Sequence, residues 1–167
     1  MAESGPTPAA AGNALVIEKV GHVFGQAPGI AGVRAIGEVD VALAPGEFFS
    51  VIGPSGCGKS TLLEIVAGLI APSEGRILFE GREVRGTVPD GVGVVFQEDA
   101  SFPWLTVWDN VAFGLRRQGA SAAEIRRLVD YAVGFMGLTA VARHYPAQLS
   151  GGMRQRVCIA RTLVLQN

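Results

Sequence analysis

The sequence has few cysteines, no long uninterrupted apolar run and almost no net charge, and each shortage excludes a class of protein. Two cysteines in 167 residues provide no disulfide framework, which fits a reducing cytoplasm. Glu64 and Pro72 interrupt the longest apolar candidate, so no run reaches the ~18 residues needed to span a bilayer. A formal net charge of −1 gives no basic footprint for nucleic acid, so no nucleic-acid partner is expected.

Apolar residues are abundant, at 49% of the chain, and many are Ala, Val and Leu, as in a parallel sheet covered on both faces. Residues 1–13 are rich in Ala, Pro and Gly, lack Lys and Arg, and have no apolar central region. They are predicted to be a disordered tail and not a signal peptide. Residues 14–167 are predicted to form one folded domain.

The most informative motif covers residues 53–61, Gly-Pro-Ser-Gly-Cys-Gly-Lys-Ser-Thr, which match the phosphate-loop pattern G-x-x-x-x-G-K-[ST]. An apolar strand is predicted before it, over 48–52, and a helix after it, over 60–68. The glycines let successive N–H groups point at one anion, to which the helix N-terminus adds partial positive charge. Lys59 is predicted to reach the β- and γ-phosphates and Ser60 to bind Mg²⁺. The predicted nucleotide contacts are Gly53, Pro54, Ser55, Gly56, Cys57, Gly58, Lys59, Ser60 and Thr61. The alternative is a glycine-rich turn with an incidental lysine.

Other periodicities predict the surrounding elements. Strands are expected over 14–20, 39–43 and 76–80, the first two forming a small antiparallel sheet, and residues 91–96 form a short run of the buried parallel type. Capping boxes at Thr106 and Ser121 predict two helices. One apolar stripe follows the second box, and another follows the segment Leu-Ser-Gly-Gly. The two stripes consist of Ile125, Leu128, Val129, Ala132, Val133 and Met136, and of Met153, Val157, Ala160 and Val164.

A second phosphate-binding device lies at residues 149–156, Leu-Ser-Gly-Gly-Met-Arg-Gln-Arg, which place a hydroxyl and two glycines at a helix N-terminus. With this motif and the phosphate loop, the sequence resembles the ATP-binding subunits of ABC transporters from about Leu15 to its last residue. The resemblance implies an α/β P-loop NTPase fold of the ABC ATPase type. That fold has an antiparallel β subdomain, a parallel core sheet and a helical insert, here at about 98–150.

The resemblance also implies roles for individual residues. In that family the second motif binds the γ-phosphate of the ATP held by the opposite subunit, which implies such contacts for Ser150, Gly151 and Gly152. Gln97 falls at the Q-loop glutamine, which senses Mg²⁺ and the attacking water beside the transmembrane partner, so Gln97 and Lys59 are the candidate catalytic residues. Phe24 occupies the place of the aromatic, usually Tyr, that stacks on adenine, and its ring keeps the π-face.

ATP and Mg²⁺ are thus the implied cofactors. The implied partners are a second copy of the chain, a transmembrane permease subunit and, indirectly, a solute-binding protein, at the cytoplasmic face of the inner (plasma) membrane. Five segments together are similar to importer subunits for nitrate, sulfonate and taurine: residues 33–36, 46–48, 96–99, 103–111 and 149–157. Met153 stands where the wider family mostly has Gln. The aromatics Phe102 and Trp104 are expected to be exposed in a groove for the permease. Alternatively, Trp104 packs under the insert.

The resemblance stops at the last residues. The family continues after this helix with an apolar strand ending in Asp-Glu and, later, a switch histidine, whereas this chain ends at Asn167. We therefore expect the chain by itself to bind ATP without hydrolysing it, and the centre of its core sheet to be uncovered. Glu98 and Asp99 are an alternative source of acids, but they precede the signature. His22 and His144 are expected to be surface or linker residues.

Overall fold

The computed structural model describes residues 14–25, 30–97 and 100–165. These residues fall into two compact units, Met1–Asp90 and Gly91–Asn167. The predicted tail over 1–13 lies outside the described residues, as do Glu98 and Asp99. The predicted domain boundaries stay predictions.

The first unit is built on an antiparallel sheet. Its described strands are β1 (Leu15–Phe24), β2 (Val33–Leu43), β3 (Glu74–Phe79) and β4 (Arg82–Glu83), in the spatial order β2-β1-β3-β4. Helix α1 (Lys59–Val66) contributes Ile65 to the core of this unit. Strand β1 pairs antiparallel with both β2 and β3, so the predicted antiparallel sheet is confirmed. The buried members of the core are Ile17, Val20, Ile36, Ile65, Ile77 and Val84.

The predicted parallel core sheet is not formed by the described residues, which corrects the expectation from the apolar runs. Residues 48–52 belong to no strand, and Phe48 and Ile52 are 91% and 93% exposed. Residues 92–96 also lie outside any strand. A strand of the buried type forms only where neighbouring strands accept and donate its backbone hydrogen bonds. Apolar composition alone therefore predicted an extended segment but not its pairing.

The second unit is helical. It contains α2 (Val107–Arg117), α3 (Ala122–Phe135) and α4 (Gly151–Leu163), with short 3₁₀ turns at Thr139–Val141 and Pro146–Gln148. Both predicted helix starts are confirmed, because the hydroxyls of Thr106 and Ser121 accept from the N–H groups of Asp109 and Glu124. This is the N-cap half of each predicted capping box. The predicted stripes are also confirmed. Ile125, Leu128, Val129, Ala132, Val133, Val157, Ala160 and Val164 are buried, with Met136 and Met153 packed against them.

Candidate nucleotide-binding site

The phosphate loop has a backbone shape that depends on its glycines. Gly56 and Gly58 have φ angles of 80° and 95°, in the left-handed region. A Cβ atom at Gly58 would lie only 2.4 Å from the carbonyl oxygen of Ala35 in β2. Glycine at 58 is thus required twice, by the backbone conformation and by the close approach to the sheet. This contact fixes the end of the loop against β2.

The side chain of Lys59 folds back over the loop. Its Nζ donates to the carbonyl oxygens of Gly53, at 2.9 Å, and Pro54, at 2.6 Å, and lies 3.7 Å from Cys57 Sγ. The ammonium group therefore bridges the two ends of the loop and places a full positive charge beside its backbone. A phosphate placed in this loop would meet that charge directly.

The N-terminus of α1 has no cap from its own chain. Gly58 at the N-cap position offers no side chain, and the first turn contains no acidic residue. The first N–H groups of a helix have no intrahelical partner, and together with the helix dipole they favour an anion. In the helical unit, by contrast, α2, α3 and α4 are each capped by a hydroxyl of their own. The open N-terminus of α1, with Lys59 beside it, is suited to hold phosphate.

The residues present also fit Mg²⁺ in the manner usual for nucleotide sites. Ser60 is exposed in the first turn of α1, beside the loop. Within the described part of the chain, no three His, Cys, Asp or Glu side chains are grouped so as to hold a metal ion. Mg²⁺ is typically held by one or two protein oxygens together with substrate phosphates and water, and a single Ser60 hydroxyl is compatible with that pattern.

Phe24 ends β1 and is linked to the phosphate loop through β2. It pairs with Val33, and Val23 and His22 pair with Arg34 and Ile36. Ala35 lies between these last two partners, at a register shift, and it is the residue that Gly58 approaches. The Phe24 ring is 45% exposed. The sheet thus brings the predicted base-stacking ring to the part of β2 on which the loop rests.

The second motif is found at the start of α4. Ser150 Oγ accepts from the N–H of Met153 at 3.3 Å, and this leaves its hydroxyl hydrogen available to donate. Gly151 and Gly152 are exposed. A Cβ at Gly152 would meet no atom within 4 Å, and Gly152 is not among the glycines with positive φ. Nothing within the described chain therefore requires glycine there, which is compatible with close approach from outside.

Gln97 is exposed, in a bend of the second unit, and α4 holds the segment before it. Gln155 Nε2 donates to the carbonyl oxygen of Phe96 at 3.3 Å, and Thr162 Oγ1 donates to that of Val94 at 3.4 Å. The segment predicted as a buried strand is thus bonded to side chains of a helix. The same helix carries the second motif, so within this unit Gln97 and Ser150 are supported by one element.

Asn110 is a buried polar residue that the sequence analysis did not identify. Its Oδ1 accepts from the N–H of Phe102 at 2.7 Å, and its Nδ2 lies 2.9–3.1 Å from the carbonyl oxygens of Phe102, Leu105 and Thr106. The side chain holds the turn over 102–106 in place. The available signal was its position in the apolar stripe of α2, with Val107, Val111 and Leu115, where a polar residue must find partners.

The two aromatics of this turn differ. Trp104 is 70% exposed, as predicted for a partner-binding loop, so it does not pack under the insert. Phe102 is only partly exposed: its ring lies 4.5 Å from that of Phe113, and the guanidinium carbon of Arg161 lies 5.0 Å from its centroid. The expectation that both were exposed is thus wrong for Phe102, because neighbouring helices supply packing partners.

His22 was expected to be a surface or linker residue, and the structure places it half-buried in β1.

A phosphate loop and an uncapped helix beside an antiparallel sheet define an α/β nucleotide-binding domain of the P-loop class. Residues 36–167 match the family model described as ABC transporter, and the chain belongs to that family. No helix among residues 14–25, 30–97 and 100–165 has the length and apolarity to cross a bilayer.

Individual relatives agree with this assignment. The chain is 46% identical over 155 residues to the spermidine/putrescine import ATP-binding protein PotA of Frankia alni, an alignment that covers 92% of this chain and 33% of that protein. The chain thus spans about a third of that relative's length.

Solved structures confirm the fold class of an ABC ATPase cassette. A dimeric, post-hydrolysis structure of the ATP-binding cassette MJ0796 bound to ADP and Pi matches with a TM-score of 0.79 and 31% identity, over 90% of this chain and 69% of that one. CbiO1 from Clostridium perfringens, part of the ABC transporter complex cbiONQ, matches with a TM-score of 0.80 and 28% identity. This match covers 93% of this chain and 62% of that one.

Proposed function

We propose that the chain is the ATP-binding part of an ABC importer subunit. The observation that carries the proposal is the open N-terminus of α1, with the Lys59 ammonium lying 2.9 and 2.6 Å from the carbonyl oxygens of Gly53 and Pro54. Residues 53–61 bind the triphosphate through backbone N–H groups and Lys59, while the base stacks on Phe24. When bound, Mg²⁺ would neutralise phosphate charge, and the Ser60 hydroxyl would supply a protein oxygen to hold it.

Two partner surfaces follow from the second unit. The exposed N-terminus of α4, with Ser150, Gly151 and Gly152, contacts the nucleotide of a second copy of the chain. The fixed turn carrying Trp104 contacts a transmembrane permease subunit at the cytoplasmic face of the inner membrane, and a solute-binding protein acts through that permease. The support is that both surfaces are exposed while their own backbones are held by Ser150 and Asn110.

For the transported solute we propose a small anion such as nitrate, sulfonate or taurine, from the similarity of residues 33–36, 46–48, 96–99, 103–111 and 149–157 to those importers. A polyamine is the second candidate, because the Frankia relative is named for spermidine and putrescine. Uptake of nitrate, taurine and spermidine by cells carrying the complete transporter, with and without this subunit, decides between them. Dependence of spermidine uptake alone would contradict the anion.

The 167-residue polypeptide tested alone is proposed to bind ATP without turning it over. Phosphoryl transfer needs groups that position the metal and the attacking water, and residues 151–167 contain no Asp or Glu. Phosphate release should therefore equal that of Lys59→Ala. Steady Mg²⁺-dependent release that is lost in Glu98→Gln would instead assign the reaction to the acids after Gln97.

The test of the central proposal is equilibrium titration of ATP into the polypeptide and its Lys59→Ala variant. Loss of a charge-assisted contact worth roughly 1.5–3 kcal/mol should weaken ATP binding about tenfold or more. Arg117→Ala is a matched control, because it removes an exposed cation at the end of α2 in the other unit. Equal ATP affinity for Lys59→Ala and the unmodified chain would refute the phosphate-loop assignment.

A further inference from the structure

The side chain of His22 lies against the candidate base-stacking ring. Residues 22 and 24 lie on the same face of β1, since side chains alternate along a strand. The imidazole and the Phe24 ring have centroids 4.4 Å apart and planes inclined at 78°, an edge-to-face pair. Such pairs are favourable because the positive edge of one ring meets the negative face of the other. The contact restricts the orientation of a ring that is otherwise 45% exposed.

The imidazole is itself held in place. His22 Nδ1 lies 3.3 Å from Ser73 Oγ, within hydrogen-bonding distance. That hydroxyl oxygen also accepts from the N–H of Val23 at 3.1 Å, and the Ser73 N–H donates to the carbonyl oxygen of Gly21 at 3.0 Å. Ser73 therefore ties its own segment to β1 on both sides of His22. Ser73 thus holds the His22 imidazole, and the imidazole in turn contacts the Phe24 ring.

This group of residues is adjacent to the phosphate loop within the first unit. Ile36 pairs with His22 and Arg34 with Val23, and the residue between them, Ala35, is the one that Gly58 approaches. The ring pair and the loop thus rest on the same short segment of β2. A nucleotide with its phosphates in the loop would have its base near this end of β1.

We propose that His22 is a positioning residue for base recognition, whose imidazole, in edge-to-face contact, holds the Phe24 ring in the orientation on which adenine stacks. The inference rests on the proposed ATP site and on the role of Phe24 in it. A ring fixed before binding loses less freedom when the base stacks on it, so affinity rises without a new contact to the nucleotide. This gain in affinity therefore applies to a ligand with a base and is absent for a ligand that consists of phosphates alone.

The experiment compares ATP with inorganic tripolyphosphate, which offers the phosphates without a base. Binding of both ligands is measured on the 167-residue chain and on two matched variants of His22. His22→Asn keeps a polar group in reach of Ser73 and removes the ring, whereas His22→Phe keeps the ring and removes the hydrogen bond. We expect His22→Asn to weaken ATP binding about threefold and leave tripolyphosphate unchanged, and His22→Phe to retain most of the ATP affinity.

Phe24→Ala serves as the reference for complete loss of stacking. It should weaken ATP about fivefold or more and leave tripolyphosphate unchanged, since base–aromatic stacking is typically worth roughly 1–3 kcal/mol. Equal weakening of both ligands by His22→Asn would mean that His22 supports only the fold, and unchanged ATP binding would mean that it supports nothing; either result overturns the inference. An unmodified chain that binds neither ligand would instead refute the ATP site itself.

Discussion

The two helices that begin at glycine-rich motifs, α1 and α4, start in opposite ways. At α1 the N-cap is Gly58, whose φ of 95° and closeness to Ala35 exclude any side chain, and no side chain caps the helix. At α4 the N-cap is Ser150, whose hydroxyl satisfies the N–H of Met153. The first N–H groups of α1 are left to a ligand or water, whereas the Ser150 hydroxyl satisfies one of those of α4. The N-terminus of α1 is therefore suited to bind a ligand, and the exposed N-terminus of α4 to contact another molecule.

Replacement of one glycine at each motif tests this difference most strongly. Gly58→Ala places a Cβ 2.4 Å from the Ala35 carbonyl oxygen and forces a left-handed backbone on alanine, so we expect ATP binding to be abolished and the first unit to lose about 2 kcal/mol or more. Gly152→Ala meets no atom within 4 Å, and alanine is the better helix former, so stability should stay within about 0.5 kcal/mol or rise.

Chemical denaturation and ATP titration of both variants provide the measurement. Both variants add one methyl group, so Gly152→Ala is the control for Gly58→Ala. A Gly58→Ala variant as stable as Gly152→Ala and the unmodified chain would show that the approach of the loop to β2 does not constrain Gly58.

The two motifs also show which features of the structure could be predicted from the sequence. Both motifs, the helices and their caps were predictable, because phosphate-loop spacing, capping boxes and apolar stripes are local patterns. The lack of strand structure at residues 48–52 was not, because strand formation depends on hydrogen bonds to a neighbour distant in sequence. The partial burial of Phe102 was missed for the same reason, since its packing depends on Phe113 and Arg161. Local chemistry and the antiparallel pairing of the first two strands were therefore predictable, whereas the absence of a strand at 48–52 and the packing of Phe102 were not.

The serines of the two motifs provide a smaller and opposite pair of effects. Ser150→Ala removes the cap of α4 and should lower the stability of the helical unit by about 1 kcal/mol without changing ATP affinity of the isolated chain. Ser60→Ala removes no cap, because α1 has none, and should leave stability nearly unchanged while weakening ATP in the presence of Mg²⁺.

Thermal unfolding and ATP titration with and without Mg²⁺ separate these outcomes. If Ser60→Ala lowers ATP affinity equally with Mg²⁺ and in EDTA, the Ser60 hydroxyl does not act through Mg²⁺. A stable Ser150→Ala variant would show that the α4 N-terminus does not depend on its own cap.

The smallest expected effect concerns pH and the self-capped helices of the second unit. Thr106 Oγ1 donates to Asp109 Oδ2 at 2.6 Å, and this hydrogen bond, followed by the Arg116 guanidinium at 2.7 Å, lowers the pKa of Asp109 from its ordinary value of 3.8. A depressed pKa means that the ionised form is favoured in the folded state, so the stabilisation is present above about pH 4 and is lost as pH falls through the folded value. Asp109 is about one-third exposed, which limits the contribution to under about 1 kcal/mol.

Asp109→Asn should therefore be slightly less stable than the unmodified chain at pH 7, and the difference should be smaller at pH 3. Urea unfolding followed by helical circular dichroism at both pH values measures that difference directly. Comparison of Asp109→Asn with the unmodified chain cancels the acid sensitivity that the two proteins share. Helix α1 contributes no such effect, because its first turn has no acidic residue. A difference that stays constant from pH 7 to pH 3 would show that the carboxylate charge does not stabilise the start of α2, and that the hydroxyl of Thr106 caps this helix alone.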